Sequence, residues 1–220
     1  MSQPYKVTGF LGHGFSASVF RVMFKRKEAA MKVQIKFPLD FSANAKMRSW
    51  KEYDFLQRLW DVENVPKPIG LLESIEGSYE KLGLNACGLP IEKVLPYNLF
   101  SDRRIYFDSA LLLELVENDL ELRPISLLNF GPTKEQLQYP YLDKLFEDLE
   151  PAVKKIHDAG VLLPEDCTIL AKEGQPYLVD FASAAYLDKI PLQTRADRIH
   201  SDFDLIERTR KKMREPCYTS

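Results

Sequence analysis

Closely spaced cysteines, long apolar runs, internal repeats and a large net charge are all missing from this chain. The three cysteines, Cys87, Cys167 and Cys217, are odd in number and far apart. That pattern excludes a disulfide framework and a zinc site, and it predicts free thiols in a reducing compartment. The most apolar short stretch, Ala110–Leu115, falls far below the ~20 residues a membrane helix needs. Met1–Lys6 lead straight into polar, strand-like sequence and do not read as a signal peptide. The expectation is an intracellular protein, cytoplasmic or nuclear, with no membrane partner. Lys and Arg number 30 against 32 Asp and Glu, a net charge of −2, so nothing electrostatic favours nucleic acid. The basic run Arg208–Lys212 reads as a solvated helix end. No segment is of low complexity, and 220 residues suffice for one domain or two small lobes.

The first third is strand-like. Tyr5–Leu11 and Ser18–Phe24 are rich in aromatic and β-branched residues and flank a Gly-containing turn. Ala29–Ile35 follows after the charged turn Lys25–Glu28. Ser42–Asp61 reads as a helix through Met47, Trp50, Tyr53, Phe55, Leu56 and Leu59, and Pro66 and Pro68 end it. Ile69–Glu73 and Ala110–Val116 read as strands, and Gly77–Phe107 between them fits no element. Glu117–Arg123 reads as a linker. Leu142–Ala159 is the best helix, with Leu145, Leu149, Val153 and Ile156 on one face and Gly160 as its stop. Cys167–Leu170 and Tyr177–Phe181 form a hairpin about Lys172–Gln175, and Asp202–Arg214 is a last amphipathic helix. Strands dominate the first half and helices the second, so the class is α+β.

Gly12-His13-Gly14-Phe15-Ser16-Ala17-Ser18-Val19 lies between two strands. Glycines in such a turn let backbone N–H groups approach phosphate oxygens with no Cβ in the way. A plain Gly-rich hairpin would read the same. What separates the two is Lys32, a cation inside the apolar run Ala30-Met31-Lys32-Val33, which needs a partner or a ligand. Glu52, on the helix that follows, is the candidate partner.

With these residues in place, the chain resembles the protein-kinase superfamily from Tyr5 to Tyr186, and in places short fungal kinase-like proteins. Gly12–Val19 matches G-x-G-x-x-G-x-V with Ala17 at the third Gly, and Ala29–Lys32 matches V-A-I-K. Leu113-Glu114-Leu115-Val116 matches the hinge, and Val179-Asp180-Phe181-Ala182 matches D-F-G with Ala for Gly. The resemblance implies a bilobal fold over residues 1–220, with a β-rich lobe to residue 116 and a reduced helical lobe over 117–220. It implies that Gly12, Gly14, Ser16, Val19 and Ala30 surround ATP. Lys32, paired to Glu52, would hold its α- and β-phosphates, and Glu114 and Val116 would offer backbone groups to the adenine. Leu113 would be the gatekeeper, and Asp180 and Thr168 would hold Mg²⁺.

The pattern departs from the family after the long helix. Where kinases have H-R-D-x-x-x-x-N, this chain reads Leu163-Pro164-Glu165-Asp166-Cys167-Thr168. Thr168 stands at the Asn, and the loop is two residues short. Any base would be Glu165 or Asp166 on a different backbone, and ~1 Å of misplacement can cost ~10²-fold in rate. Only 40 residues follow Asp180, with no A-P-E motif. Asp202 or Asp204 would correspond to the helix acid that braces the loop; either would serve equally as an acid near a helix start. His157 reads as a structural hydrogen bonder and His13 as a solvated loop residue. Three functions remain open: a pseudokinase that binds nucleotide and acts through a protein partner, an unorthodox phosphotransferase using Glu165 or Asp166, or a scaffold with an empty cleft.

Overall fold

The computed structural model describes residues 5–13, 17–34, 42–78, 106–122, 132–164 and 167–214. Gly14, Ser16, Glu165, Asp166 and nearly all of Gly77–Phe107 lie outside them. The class is α+β, in two units: residues 1–54 with 67–115, and 55–66 with 116–220. The second unit takes in the stretch from Phe55 to Pro66 as well as residues 116–220.

The first unit is built on strands β1 (Tyr5–His13), β2 (Ala17–Phe24), β3 (Lys27–Gln34), β4 (Pro68–Ser78) and β5 (Tyr106–Glu114). They form one antiparallel sheet in the order β1-β2-β3-β5-β4. The β2–β3 turn is tighter than expected. Phe24 already pairs with Lys27, and Lys25 and Arg26 both take positive φ, 47° and 67°. That is the mirror-image turn whose twist suits a hairpin.

Side chains alternate across the sheet. Phe20, Val22, Ala29, Met31, Val33, Ala110 and Leu112 make an apolar core on one face, joined by Tyr5. Phe10 meets Phe20 edge-on, with ring centroids 5.6 Å apart. The opposite face, which carries Ala30, Lys32 and Gln34, receives helix α1 (Ser42–Arg58). Of the apolar residues expected on its buried face, Phe55, Leu56 and Leu59 are buried, but Met47 and Trp50 are not. Met47 and Trp50 are 61% and 46% exposed, while Ser49 and Glu52 are buried. The 3.6-residue stripe runs Ser49, Glu52, Phe55, Leu56, Leu59, so its first half is polar.

The second unit begins inside α1. The Phe55 ring lies 4.3 Å from that of Tyr186, and Arg58 donates to the Ala159 carbonyl at 2.8 Å. Helix α2 (Lys134–Leu137) is one turn, and α3 (Leu142–Asp158) buries Leu145, Phe146, Leu149, Val153 and Ile156. Gly160 ends α3 with φ +81°, and a Cβ there would sit 2.6 Å from the Arg58 guanidinium. β6 (Leu120–Leu122), β8 (Thr168–Lys172) and β9 (Gln175–Val179) form a three-stranded sheet in the order β6-β8-β9. β6 lies where a linker was expected: Leu120 and Leu122 are buried through pairing with β8. β7 (Val161–Leu162) pairs with β10 (Ala185–Tyr186). The last helix, α4 (Leu192–Arg214), starts ten residues before the expected Asp202. Among the described residues no helix is long and apolar enough to cross a membrane.

One polar knot locks the β8–β9 hairpin. Tyr139 donates its hydroxyl to Asp119 at 2.7 Å and accepts the Gly174 N–H at 2.9 Å, while Asp119 also accepts the Glu173 N–H at 3.0 Å. Desolvation, helped by Asp119, pushes the phenol up to about 12. At Asp119 desolvation acts upward, but the bonds from Tyr139 and the backbone, with Lys172 nearby, outweigh it and hold the carboxyl below its usual value. The lowered value makes this knot stabilising above an unfolded-state pKa of about 4, and the contribution is lost as pH falls through the folded value. Tyr139→Phe leaves the buried Gly174 N–H unpaired and is expected to cost about 1–3 kcal/mol in urea unfolding at pH 7. Asp119→Asn should flatten the acid side of the stability profile below pH 4. An unchanged acid limb in Asp119→Asn would show that Asp119 does not contribute to it.

Candidate functional site

The site in the first unit begins with a conflict in β3. The strand is apolar and buried, yet its centre is Lys32, only 5% exposed. An ammonium in such a place must be paired or lose its proton. The pairing is direct: the Lys32 Nζ donates to Oε1 of Glu52 at 2.8 Å and lies 2.8 Å from Oε2. Glu52 is itself 1% exposed.

The register explains why the two meet. Leu111 stands opposite Lys32, and Glu73 opposite Ser109, so Lys32, Leu111, Ser109 and Glu73 share one face. Three residues of α1 bond to that face strand by strand: Glu52 to Lys32 on β3, Ser49 Oγ to Ser109 Oγ on β5 at 3.3 Å, and Trp50 Nε1 to Glu73 on β4 at 2.8 Å. Only the first is legible in the sequence, because serines carry no pattern signal and Trp50 fits an apolar stripe.

Around Lys32, the strand pairing locates several of the residues singled out in the sequence. Val19 stands opposite Lys32 on β2, and Ala30, two residues before it, stands opposite Leu113. Gly12 pairs with Val19, and a Cβ on Gly12 would meet nothing within 4 Å. Packing within the described residues therefore does not require a glycine there. At the end of β5, Glu114 donates its N–H to the Lys67 carbonyl at 2.8 Å, and its carboxylate accepts the Lys67 N–H at 3.3 Å. The Glu114 N–H is thus already engaged and is not the group to face a base.

In the second unit, Asp180 follows β9 with φ 78° and ψ 54°, a left-handed backbone that aspartate and asparagine adopt more often than other residues with a Cβ. Thr168 stands opposite Val179, one residue from Asp180. The Cys167 thiol donates to the Val179 carbonyl at 3.4 Å. Cys167 is buried, 3% exposed. No cluster of three His, Cys, Asp or Glu able to hold a metal occurs among the described residues. Asp202 is the helix acid that reaches the loop. Its Oδ2 accepts the Leu163 N–H at 3.1 Å and lies 2.8 Å from His157 Nε2. His157 thus has a structural role. Val116 is half-buried and lies outside any strand.

No protein-family model matches this chain, and no curated protein sequence matches it.

Removing either partner of a buried ion pair strands the other. Glu52→Leu or Lys32→Met alone is expected to destabilise by about 3–5 kcal/mol, and the double variant to recover most of that loss. A double-mutant cycle by chemical denaturation measures it. Additive losses would show that the two charges are not coupled.

Proposed function

We propose that this chain is a nucleotide-binding protein with a protein-kinase-like fold, a β-rich first lobe and a reduced helical second lobe. It binds ATP with Mg²⁺ and acts through a protein partner rather than by efficient phosphate transfer. The observation that carries the reading is the buried Lys32–Glu52 pair at 2.8 Å, set beside a Gly-containing turn. A buried pair is a poor way to gain stability, since well-packed apolar residues do as well or better. Its retention is explained if the oriented ammonium faces a polyphosphate. The residues suit the group: Lys32 would meet inner phosphate oxygens, and the Asp180 carboxylate is a hard oxygen donor of the kind Mg²⁺ takes. The shortened loop over Leu163–Thr168 is the reason to place weak transfer below binding.

A second reading, phosphotransfer by Glu165 or Asp166, is favoured by one contact. Asp202 anchors the Leu163 N–H immediately upstream of those two residues.

Differential scanning fluorimetry with millimolar Mg-ATP tests the first reading, because a ligand that binds only the native state must raise its melting temperature. A shift is expected in the wild type and its loss in Lys32→Ala. Gly12→Val should melt like the wild type without ligand, since no described atom lies near that Cβ, yet show a smaller shift. No shift in the wild type overturns the proposal. Transfer of labelled γ-phosphate that stops in Glu165→Gln or Asp166→Asn would establish the second reading instead.

A further inference from the structure

Two residues beyond Lys32, at the end of β3, the side-chain amide of Gln34 is 1% exposed, and neither its nitrogen nor its oxygen has a hydrogen-bond partner among the described residues. Buried amides are almost always satisfied, and one that is not asks for an explanation. Within its own unit Gln34 is on the Lys32 face, because residues two apart on a strand point the same way. Its cross-strand neighbour on β2 is Ala17, the first described residue after the Gly-containing turn.

The order of residues along this face gives the amide a role. Ala30 is small and apolar, Lys32 is a cation, and Gln34 is a neutral donor and acceptor. Each step of two residues advances about 7 Å along the strand. If the base lies at Ala30 and the inner phosphates at Lys32, the next group outward is the terminal phosphate, at Gln34. β2 runs antiparallel, so the same direction leads from Val19 to Ala17, toward the turn. An amide N–H can donate to a phosphate oxygen without adding a second charge beside the Lys32–Glu52 pair.

We infer that Gln34 reads the terminal phosphate and makes the protein distinguish a nucleoside triphosphate from a diphosphate. The inference rests on the nucleotide-binding reading of Lys32 and adds the residue that sets phosphate-number specificity. Glu52 does not compete for this role, since it is occupied by Lys32. Ser49 and Ser109 bond to each other.

Calorimetric titration of the whole chain with Mg-ATP and Mg-ADP tests it. The wild type should prefer ATP. Gln34→Leu, close to isosteric, should weaken ATP on the order of 10- to 100-fold, the worth of one hydrogen bond to a charged group, and leave ADP unchanged. Gln34→Glu should weaken ATP more than Gln34→Leu does. The unliganded Gln34→Leu protein should melt at or above the wild type, because an unpartnered amide is exchanged for an apolar group. A lower melting temperature, or equal weakening of both nucleotides, would show a structural amide and overturn the inference. Wild-type binding of ATP and ADP with equal affinity would overturn it while the nucleotide reading stands. If the wild type binds neither, that reading falls and this one with it.

Discussion

The first unit depends on one salt bridge that its sheet would be simpler without. Lys32 and Glu52 are both buried, and their 2.8 Å contact pairs the two charges. Helix α1 therefore cannot slide or turn on the sheet without stranding two charges. The Ser49–Ser109 and Trp50–Glu73 bonds reinforce the same placement on the neighbouring strands. An apolar interface of similar area could tolerate small shifts of the helix. A directional one is less forgiving, because hydrogen bonds weaken steeply with misalignment.

The two faces of the sheet accordingly do different work. The face with Phe20, Met31, Val33 and Leu112 supplies cohesion, since burial of apolar area is non-directional and additive. The face with Lys32 and Gln34 supplies position. Separating the tasks by strand parity means that a change on one face need not disturb the other. It also explains why Met47 and Trp50 can stay largely exposed: the inward positions of the helix are already taken by Ser49 and Glu52.

What could be read from the chain divides along physical lines. β1 to β3, α3 and the β8–β9 hairpin were legible because alternation, a 3.6-residue stripe and turn residues agreed locally. Lys32 stood out because a charge in an apolar strand is a conflict that only a partner resolves. β6 was not legible, because three residues of a polar stretch become a strand only when β8 offers them a ladder. The first ten residues of α4 were missed because none of them is buried, so no stripe marks them. Gln34 carried no signal at all. A lone amide at the end of a strand looks like a boundary until its burial is known.

The second unit shows how a left-handed residue is held. Asp180 adopts this conformation, which aspartate tolerates better than most residues with a Cβ. It is flanked by specific contacts on both sides. Before it, Val179 is tied to Thr168 by the ladder and to the Cys167 thiol, and the Leu178 N–H donates to the Asn64 carbonyl at 2.8 Å. After it, Phe181 is fully buried and begins a short 3₁₀ turn. Together with the anchoring of Leu163 by Asp202, these contacts hold the described residues on either side of positions 165 and 166 in place.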